Sequence, residues 1–427
     1  MTQTQQPTAP VAVIVDGYST GNFLPAAFAR AGVEVVHVQS TDELMPSMLG
    51  PDLTQYRENL IAEDEAGIDR TVARLRELAP VAVLAGQEPG VPLSDLLAER
   101  LGLPGNSTAL SQARRDKFQM IEALRTAGVR CARQFKSSDP QGVVDWARAE
   151  GRYPVVVKPL SSASTDNVFI CRSEQEVESA ARTVLAANNI FDLPNTEALI
   201  QSYLDGVEYI VDSVSVDGRH YVVGVWEYEK QILPSGKNIY DRDVLRGPEA
   251  APVPELVAYM RTALDALGIR QGACHAEVIV TPDGPALVEL GARLNGNMNP
   301  DFHDICLGTN QADLMALAYS RPEEFLRDYA DRVYTVKQEA AVHNTSTVLD
   351  GVIESVDEGV VEKIASLPTV FLVSVKLKPG GRIRPTVDLL SSPLRIFMTG
   401  ESAEQLREDH RAIADLKEQV YRVGSAG

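Results

Sequence analysis

The sequence predicts an α/β domain at the N-terminus, followed by a larger α+β region built on antiparallel strands. Short apolar strands alternate with helical stretches over the first ~105 residues, as in a parallel, doubly wound sheet. From residue 153 onward, strands follow one another directly and are joined by turns containing Gly and Asp. The 427 residues are 44% apolar and 23% charged, which is ordinary for a chain with folded cores.

The N-terminal region contains two strand–helix units. VAVIV, the turn-rich DGYSTGN, the helical FLPAAFARAG and the strand VEVVHV form the first unit. A helix near 63–78, the strand VAVLAG and a helix near 93–101 form the second, and LPGNS at 103–107 ends the region. We therefore place a Rossmann-like domain at residues 1–110.

The first loop, residues 16–21, lies between a strand and a helix, where a dinucleotide-binding fingerprint would lie. It does not have the pattern G-x-G-x-x-G, and the second strand ends in Gln39-Ser40, without an acid to bind a ribose. A tight turn of the sheet is the favoured interpretation, and contact with a small substrate stays open. A dehydrogenase is disfavoured.

A helical stretch at 111–129 follows, with Phe118, Ile121 and Leu124 on one face and Gly128 at its end. The next strands are YPVVVK, NVFICR, ALIQSYL, EYIVDSVSV and RHYVVGVWEY. Residues 308–332 are helical again. The strands VYTVKQEAAV and TVFLVSVKL and a helix near 401–420 complete the chain.

Charge and cysteine content exclude several classes of function. Forty Lys and Arg against 59 Asp and Glu give a net charge of −19, which repels nucleic acid and anionic membranes but permits a local anion site. The four cysteines form no CxxC pair, so neither a zinc ribbon nor a disulfide scaffold is expected. The polar start, without basic residues, and its five-residue apolar run do not predict a signal peptide or membrane span, so we expect a cytoplasmic protein.

The segment 274–290 predicts a hairpin around Thr-Pro-Asp-Gly, a sequence that fits a type I turn followed by a bulge. With a three-residue loop, Thr281 faces Pro285 and Glu277 faces Glu289. Glu277 and Glu289 then share one strand face with His275. The other face is apolar and carries Cys274, Ala276, Val278, Val280, Ala286, Val288 and Leu290.

Two carboxylates that face each other destabilise a strand pair unless solvent or a cation lies between them. Oxygen ligands with room for water suit Mg²⁺, above all Mg²⁺ shared with substrate phosphates. Two solvated glutamates on an exposed hairpin are the alternative. Arg293, four residues after Glu289 in a glycine-containing loop, favours a phosphate site instead.

Two lysines have contexts that suit phosphate binding. Lys158 ends the apolar strand 155–157 and precedes a loop of small hydroxyl residues, Ser161-Ser162-Ala163-Ser164-Thr165. Lys117 lies at the start of the helical stretch after two arginines. Taken alone, each would be interpreted as a solvated surface lysine.

Taken in order, these features resemble the ATP-grasp superfamily. They are Lys117 before an amphipathic helix, V-V-V-K-P with its small-residue loop, Q-S-Y-L-D-G-V-E at 201–208, and the hairpin with E-L-G-A-R-L-N-G. The resemblance covers residues 110–310 and implies an ATP-grasp core at 111–310, with a lid at about 135–205. Residues 311–427 would then form a C-terminal α+β domain.

The resemblance also implies a role for each matching residue. Lys117, Lys158 and the loop hydroxyls of Ser161, Ser162 and Ser164 would contact ATP phosphates. Gln201 and the backbone of Tyr203 and Leu204 would line adenine, and Glu208 would bind the ribose hydroxyls. Glu277 and Glu289 would bind Mg²⁺, with Mn²⁺ as an alternative, and Arg293 would be the catalytic residue that stabilises the acyl phosphate.

Three positions depart from the superfamily's usual pattern. The lid loop lacks its usual glycines, many relatives have Glu at the position of Gln201, and many have Asn at the position of Gly291. A third protein ligand to the metal is therefore not assigned. Within the superfamily, E-x-G-A-R-x-x-G and the stretches 86–91 and 103–106 are similar to those of the L-amino acid ligases. That similarity implies substrate contacts from Glu88, Arg293 and Asn297, and dipeptide ligases often carry a tryptophan at the position of Asn297. A turn residue is the alternative for Asn297. His275 could orient the amine or carboxylate substrate, with a structural hydrogen-bonding histidine as the alternative.

The expected function is therefore an ATP-dependent carboxylate–amine ligase that releases ADP and phosphate. Its partners would be small-molecule amino acids, with no nucleic acid or membrane, and a homodimer is the expected assembly. One alternative is a ligase of a natural-product pathway that acts on a non-amino-acid carboxylate or amine. Another is a catalytically silent nucleotide-binding protein.

Overall fold

A computed structural model describes residues 9–45, 48–161, 167–188, 193–232, 238–389 and 391–424. Its strands are β1 (Val11–Val15), β2 (Glu34–Gln39), β3 (Asn59–Ile61), β4 (Ala82–Ala85), β5 (Gln134–Ser137), β6 (Val155–Pro159), β7 (Phe169–Cys171), β8 (Ala198–Ser202), β9 (Val207–Val216), β10 (Arg219–Ile232), β11 (Asn238–Leu245), β12 (Gly272–Thr281), β13 (Gly284–Gly291), β14 (Glu339–Asn344), β15 (Gly351–Val356), β16 (Val370–Val375), β17 (Arg382–Ile383), β18 (Leu394–Gly400) and β19 (Tyr421–Gly424). Its helices are α1 (Leu24–Arg30), α2 (Glu65–Leu78), α3 (Val91–Leu101), α4 (Lys117–Thr126), α5 (Pro140–Glu150), α6 (Glu174–Ala186), α7 (Val253–Ala266), α8 (Pro300–Leu307), α9 (Gln311–Ser320), α10 (Pro322–Asp328), α11 (Glu358–Ala365) and α12 (Ala403–Leu416).

The N-terminal sheet is parallel with the order β3-β2-β1-β4, and helices cover both of its faces, as predicted. Residues of α1 pack on the face of β1 that carries Ala12 and Ile14, and residues of α2 and α3 pack on the opposite face. The loop after β1 is a tight turn in which Asp16 has φ +53°. The Asp16 carboxylate accepts hydrogen bonds from the backbone amide (3.0 Å) and the hydroxyl (2.5 Å) of Ser40. These bonds stabilise the turn by joining it to the end of β2.

A second sheet, with the order β5-β8-β6-β7, forms the lid together with α5 and α6. Its β-strands are antiparallel, and its apolar face is buried beneath the two helices. The strand that carries Lys158 is central in this sheet, so the lysine backbone is held by neighbours on both sides.

The largest sheet has eight strands in the order β13-β12-β9-β10-β11-β14-β18-β16. Its last three strands come from the C-terminal region, which therefore extends the central sheet directly. A small sheet, β17-β15-β19, lies beside it. Helices α4 and α7 bury one face of the central strands in the largest apolar core.

The β12–β13 hairpin differs from the predicted register at its turn. Thr281 pairs with Gly284 instead of Pro285, so the connection contains two residues where three were predicted. A bulge between Glu277 and Val278 then shifts the pairing by one residue. Because of that shift, Glu277 still lies directly opposite Glu289, as predicted.

The bulge also changes which side chains form the apolar face of β13. Leu287 pairs with Val278 and is fully buried, whereas Val288, the bulged residue, is partly exposed. The prediction that Ala286 lies on the face opposite Glu277 was therefore wrong, because Ala286 pairs with Ile279, two residues from Glu277. An extra residue in one strand reverses the side-chain alternation that follows it.

Two elements are shorter than predicted. The helix expected over 111–129 becomes α-helical only at Lys117, because the Asp116 carboxylate accepts a hydrogen bond from the amide of Gln119 (2.8 Å) and caps the first turn. The strand predicted over VYTVKQEAAV begins only at Glu339. Among the described residues, no helix is both long and apolar enough to cross a membrane.

The C-terminal helix α12 packs against the sheet beside a buried histidine, which predicts a pH-dependent stability. Burial lowers the pKa of His343 to about 4, although the Asp241 carboxylate lies 3.3 Å from its Nδ1. The unfolded chain binds the same proton near pH 6.5, so lowering the pH from 6.5 to 4 favours unfolding by about 3 kcal/mol.

Urea unfolding of the wild type and of His343→Gln at pH 7.0, 5.5 and 4.5 measures this contribution. The wild type is expected to lose more stability than the variant as the pH falls. Equal losses in the two proteins would show that His343 does not carry the effect.

Candidate active site

One face of the eight-stranded sheet carries four of the predicted site residues. Residues paired directly across strands point to the same side of a sheet. Glu277 pairs with both Glu289 and Ile210, His275 pairs with Asp212, and Ile279 pairs with Glu208. By this register and the strand alternation, the face carries Glu289, Glu277, His275, Glu208, Asp212, Tyr228 and Asp243.

The Glu277–Glu289 pair lies at one edge of this face. The Tyr228 hydroxyl donates to Oε1 of Glu277 (3.1 Å), and the Lys117 ammonium forms an ion pair with Glu289. Burial raises the pKa of Glu277, and the opposed Glu289 raises it further. Burial opposes the charged form of Glu289 as well, but Lys117 and then Lys158 lower its pKa below the ordinary value.

Two lysines from different parts of the fold meet this carboxylate pair. Lys117 is the first residue of α4, and its amide donates to the Leu160 carbonyl at the end of the lid strand β6 (3.0 Å). Lys158 lies on β6 and is 4% exposed. Burial, followed by repulsion from Lys117, lowers the pKa of Lys158 to about 8. The lid therefore lies over the sheet with its lysine facing the acids.

The residues predicted to line the nucleotide lie where the lid joins the sheet. Gln201 is buried on β8 and donates to the side-chain oxygen of Gln134 (3.0 Å). Tyr203 and Leu204 follow in the connection to β9, and Tyr203 is exposed. Ser161 is partly exposed at the end of the described part of the lid loop.

Ser162 and Ser164 lie outside the described residues, so their predicted phosphate contacts stay predictions. Glu208, at the start of β9, is buried, accepts from the Lys230 ammonium (2.5 Å) and accepts from the Tyr240 hydroxyl (3.2 Å). A ribose that binds Glu208 would therefore meet a carboxylate already held in place by a lysine and a tyrosine.

Arg293 is held by an acid from the N-terminal domain. Its Nε donates to Oε2 of Glu88 (3.1 Å), and the other oxygen of Glu88 lies 3.6 Å from an Arg115 nitrogen. Glu88 thus lies between two guanidinium groups. This pair also explains Gly291, because a Cβ there would lie 2.8 Å from the Glu88 carboxylate and 3.1 Å from the Arg293 guanidinium. An asparagine cannot occupy that position without displacing the Glu88–Arg293 pair.

His275 belongs to a buried polar network. Its Nδ1 lies 2.9 Å from Oδ1 of Asp212, and the other Asp212 oxygen accepts from the Asn295 amide (2.8 Å). A proton on Nδ1 then leaves the opposite ring nitrogen, Nε2, free to accept a hydrogen bond. The arrangement fixes the ring orientation on the site face.

The Asn297 side chain is hydrogen-bonded to the central sheet. Its amide donates to Oδ2 of Asp243 (2.6 Å), and its backbone N–H donates to the Asn295 side chain (2.7 Å). Asp243 is buried, and burial raises its pKa to about 7. The Asn297 side chain is thus more than a turn residue, since it bonds a buried acid.

Sequence reasoning did not identify several residues that complete the site. Asp212 interrupts the apolar strand EYIVDSVSV, and a buried acid in such a strand is a signal for a paired or functional group. Tyr228 and Lys230 lie on a long hairpin strand where local sequence gives no such signal. The remaining site residues not predicted are Arg115, Tyr240, Asp243 and Asn295.

Comparisons with known proteins agree with this geometry. A family model described as an ATP-grasp domain matches residues 151–301. Dapdiamide A synthase of Enterobacter agglomerans is 32% identical over 418 residues, covering 97% of each chain. The chain therefore belongs to the ATP-grasp superfamily of ADP-forming carboxylate–amine ligases. Within it, the chain shares a family with dapdiamide A synthase over nearly its full length.

Solved structures support the fold. The L-amino acid ligase of Bacillus licheniformis superimposes with a TM-score of 0.74 at 21% identity, covering 96% of this chain and 98% of that chain. The biotin carboxylase domain of Hydrogenobacter thermophilus 2-oxoglutarate carboxylase, crystallised with MgADP, ADP and bicarbonate, gives a TM-score of 0.64 at 15% identity. Its alignment covers 98% of this chain and 91% of that chain. The predicted fold class is confirmed.

Proposed function

We propose that this enzyme joins the carboxylate of one L-amino acid to the amino group of a second, with cleavage of ATP to ADP and phosphate. The observation that supports this most strongly is the meeting of two opposed carboxylates, Glu277 and Glu289, with two lysines on one sheet face. Arg293, in the loop that follows β13, adds a third cation close enough to lower the pKa of Glu289.

Mg²⁺ fits the carboxylate pair. Two acids placed directly opposite each other need a positive charge between them. In this structure the Lys117 ammonium pairs with Glu289, and the pKa of Glu277 is raised, which favours the protonated form of that carboxyl. Carboxylate oxygens are also the ligands that Mg²⁺ prefers. Glu277 and Glu289 would hold the metal, which would offset negative charge on the nucleotide phosphates when bound.

The other residues divide between the two substrates. We propose that Lys117 and Lys158 bind ATP phosphates, that Gln201, Tyr203 and Leu204 line the adenine, and that Glu208 binds the ribose. In the first step a substrate carboxylate oxygen attacks the γ-phosphorus, and ADP leaves. Developing charge on the transferred phosphoryl group would be offset by the lysines and Arg293.

In the second step the amine attacks the acyl carbon, and the bond from that carbon to the phosphate oxygen breaks. The amide, inorganic phosphate and one proton are the products. His275, oriented by Asp212, has an Nε2 that can accept the proton of the attacking amine. Glu88 would keep the Arg293 guanidinium in position.

A pairwise screen of amino acids for ATP-dependent phosphate release, with mass spectrometry of the products, tests this proposal. We expect phosphate release that requires two amino acids and a product heavier than either one. Release with neither amino acid, or none with any pair, would contradict the assignment. A ligase acting on a non-amino-acid carboxylate or amine is the alternative, and it would appear as ligation only when such a compound replaces one of the two amino acids.

The nucleotide product distinguishes the proposed chemistry from adenylation. An acyl-phosphate route releases ADP, because the carboxylate attacks the terminal phosphorus. We therefore expect ADP and phosphate in equal amounts by ion-exchange chromatography, with no AMP above the background of a no-enzyme control. AMP and pyrophosphate would overturn the mechanism. The homodimer and the cytoplasmic location stay proposals, which sedimentation and cell fractionation test.

A further inference from the structure

The C-terminal strands bring a group of positively charged and hydrogen-donating side chains to the site face. Arg395 lies on β18, directly opposite Asn344 of β14 and opposite Ser374 of β16. Its Nε donates to Oδ1 of Asn344 (3.3 Å), and one Nη donates to the Gly296 carbonyl (3.3 Å). Those two bonds engage only two of the guanidinium N–H groups with described residues.

Asn344 has an unused hydrogen-bond donor beside this arginine. The side chain is 1% exposed, and its Nδ2 has no hydrogen-bond partner among the described residues. Because Oδ1 accepts from Arg395, the amide orientation is fixed and Nδ2 must be the free group. A buried donor without a partner costs free energy unless a ligand or water satisfies it.

Lys376 adds a second positive charge. It follows β16, and its backbone amide donates to the Pro393 carbonyl (3.0 Å). Because Arg395 lies opposite Ser374, Lys376 is two residues along the chain from the residue that faces Arg395. Burial, followed by repulsion from Arg395, lowers the pKa of Lys376 to about 7. Among the described residues, no carboxylate forms an ion pair with Arg395 or Lys376, although Asp243 lies near enough for Arg395 to lower its pKa.

This cationic group borders the loop that carries Arg293 and Asn297. Arg395 bonds the carbonyl of Gly296, and Asn297 bonds Asp243, the acid that Arg395 also influences. The lysines that face the ATP phosphates, Lys117 and Lys158, lie with the Glu277–Glu289 pair instead. Arg395 therefore lies at the loop after β13 and is a separate cation from the two lysines at the carboxylate pair.

We propose that Arg395, Lys376 and the Asn344 amide form the binding site for the free carboxylate of the amine substrate. This inference rests on the proposed function. The first amino acid loses its carboxylate charge to the acyl phosphate, whereas the second keeps its carboxylate through the whole reaction. A second amino acid therefore needs a permanent cationic partner. The half-buried Arg395 guanidinium has no ion-pair partner among the described residues and still has N–H groups to donate.

The test compares each accepted amine substrate with its carboxamide, which keeps the amino group and side chain but loses the negative charge. Wild-type enzyme is expected to use the amino acid with a kcat/KM about 100-fold higher than the carboxamide. Arg395→Gln should raise the KM of the amino acid about 30- to 100-fold. The same variant should change the KM of the carboxamide less than threefold and leave the KM values of ATP and of the acyl substrate unchanged.

Lys376→Met should also raise the KM of the amino acid, by about fivefold. The effect is smaller because the Arg395 charge remains in this variant. Arg422→Gln is the matched control, since Arg422 is an exposed C-terminal arginine that pairs with Asp357. If Arg395→Gln fails to fold, as judged by thermal unfolding, Arg395→Lys and Lys376→Met carry the same comparison.

The inference fails if Arg395→Gln raises the KM of the amino acid and the KM of the carboxamide by the same factor. It also fails if the variant raises the KM of the acyl substrate instead. It also fails if wild-type enzyme uses both amines equally well, although ligation itself would then stand. Absence of ligation with every pair would contradict the proposed function, not the carboxylate site alone.

Discussion

Glu289→Gln is expected to lower kcat about 1,000-fold, because metal-assisted charge stabilisation supplies several kcal/mol of the barrier reduction. The substitution removes one of two opposed carboxylates and the partner of Lys117, so it should weaken Mg²⁺ binding. It also relieves the repulsion that raises the pKa of Glu277, so the fold should remain intact.

Titration of activity with Mg²⁺, together with direct Mn²⁺ binding by electron paramagnetic resonance, measures the effect. Asp283→Asn is the matched control, because Asp283 lies exposed at the tip of the same hairpin. Wild-type ligation by Glu289→Gln at ordinary Mg²⁺ concentrations would remove Glu289 from the metal site.

Lys158→Met is expected to lower kcat/KM for ATP about 100-fold, because it deletes a desolvated positive charge that the proposed function assigns to the ATP phosphates. Methionine nearly preserves the length of the side chain. Since burial disfavours the charged lysine, its removal should leave the unfolding temperature unchanged or higher.

Isothermal titration with a nonhydrolysable ATP analogue separates binding from chemistry in this variant. Lys363→Met, at an exposed position of α11, serves as the control. The assignment fails if Lys158→Met and Lys363→Met bind the analogue and turn over alike.

Local patterns predicted the parts of the fold that depend on local interactions. The strand–helix alternation of the first domain gave a parallel sheet with helices on both faces, as the structure has it. The Asp116 cap moved the predicted start of a helix, and the bulge at Val288 changed the predicted side-chain alternation of β13, because a single side chain or one extra residue decides each. The joining of β14, β18 and β16 to the central sheet is a long-range pairing with no signal in the local sequence.

The candidate site could be predicted only where a motif keeps its residues close in sequence. Glu277 and Glu289 share one hairpin, and their predicted opposition holds because the bulge compensates for a turn one residue shorter than predicted. The residues that orient the site side chains lie far away in the sequence. Glu88, which bonds Arg293, is 205 positions from it, and Asp212, which bonds His275, is 63 positions from it. Arg395 reaches the Gly296 carbonyl across 99 positions. Such contacts depend on the packing of whole domains.

The most direct test of the central claim follows an oxygen atom through the reaction. In the proposed mechanism a carboxylate oxygen of the first amino acid becomes an oxygen of the released phosphate, because the acyl phosphate breaks at its carbon–oxygen bond. With an acyl substrate labelled with ¹⁸O in its carboxylate, we expect one labelled oxygen in each phosphate, measured by mass spectrometry or by the ³¹P isotope shift. Phosphate without the label, formed while the amide product accumulates, would contradict the account.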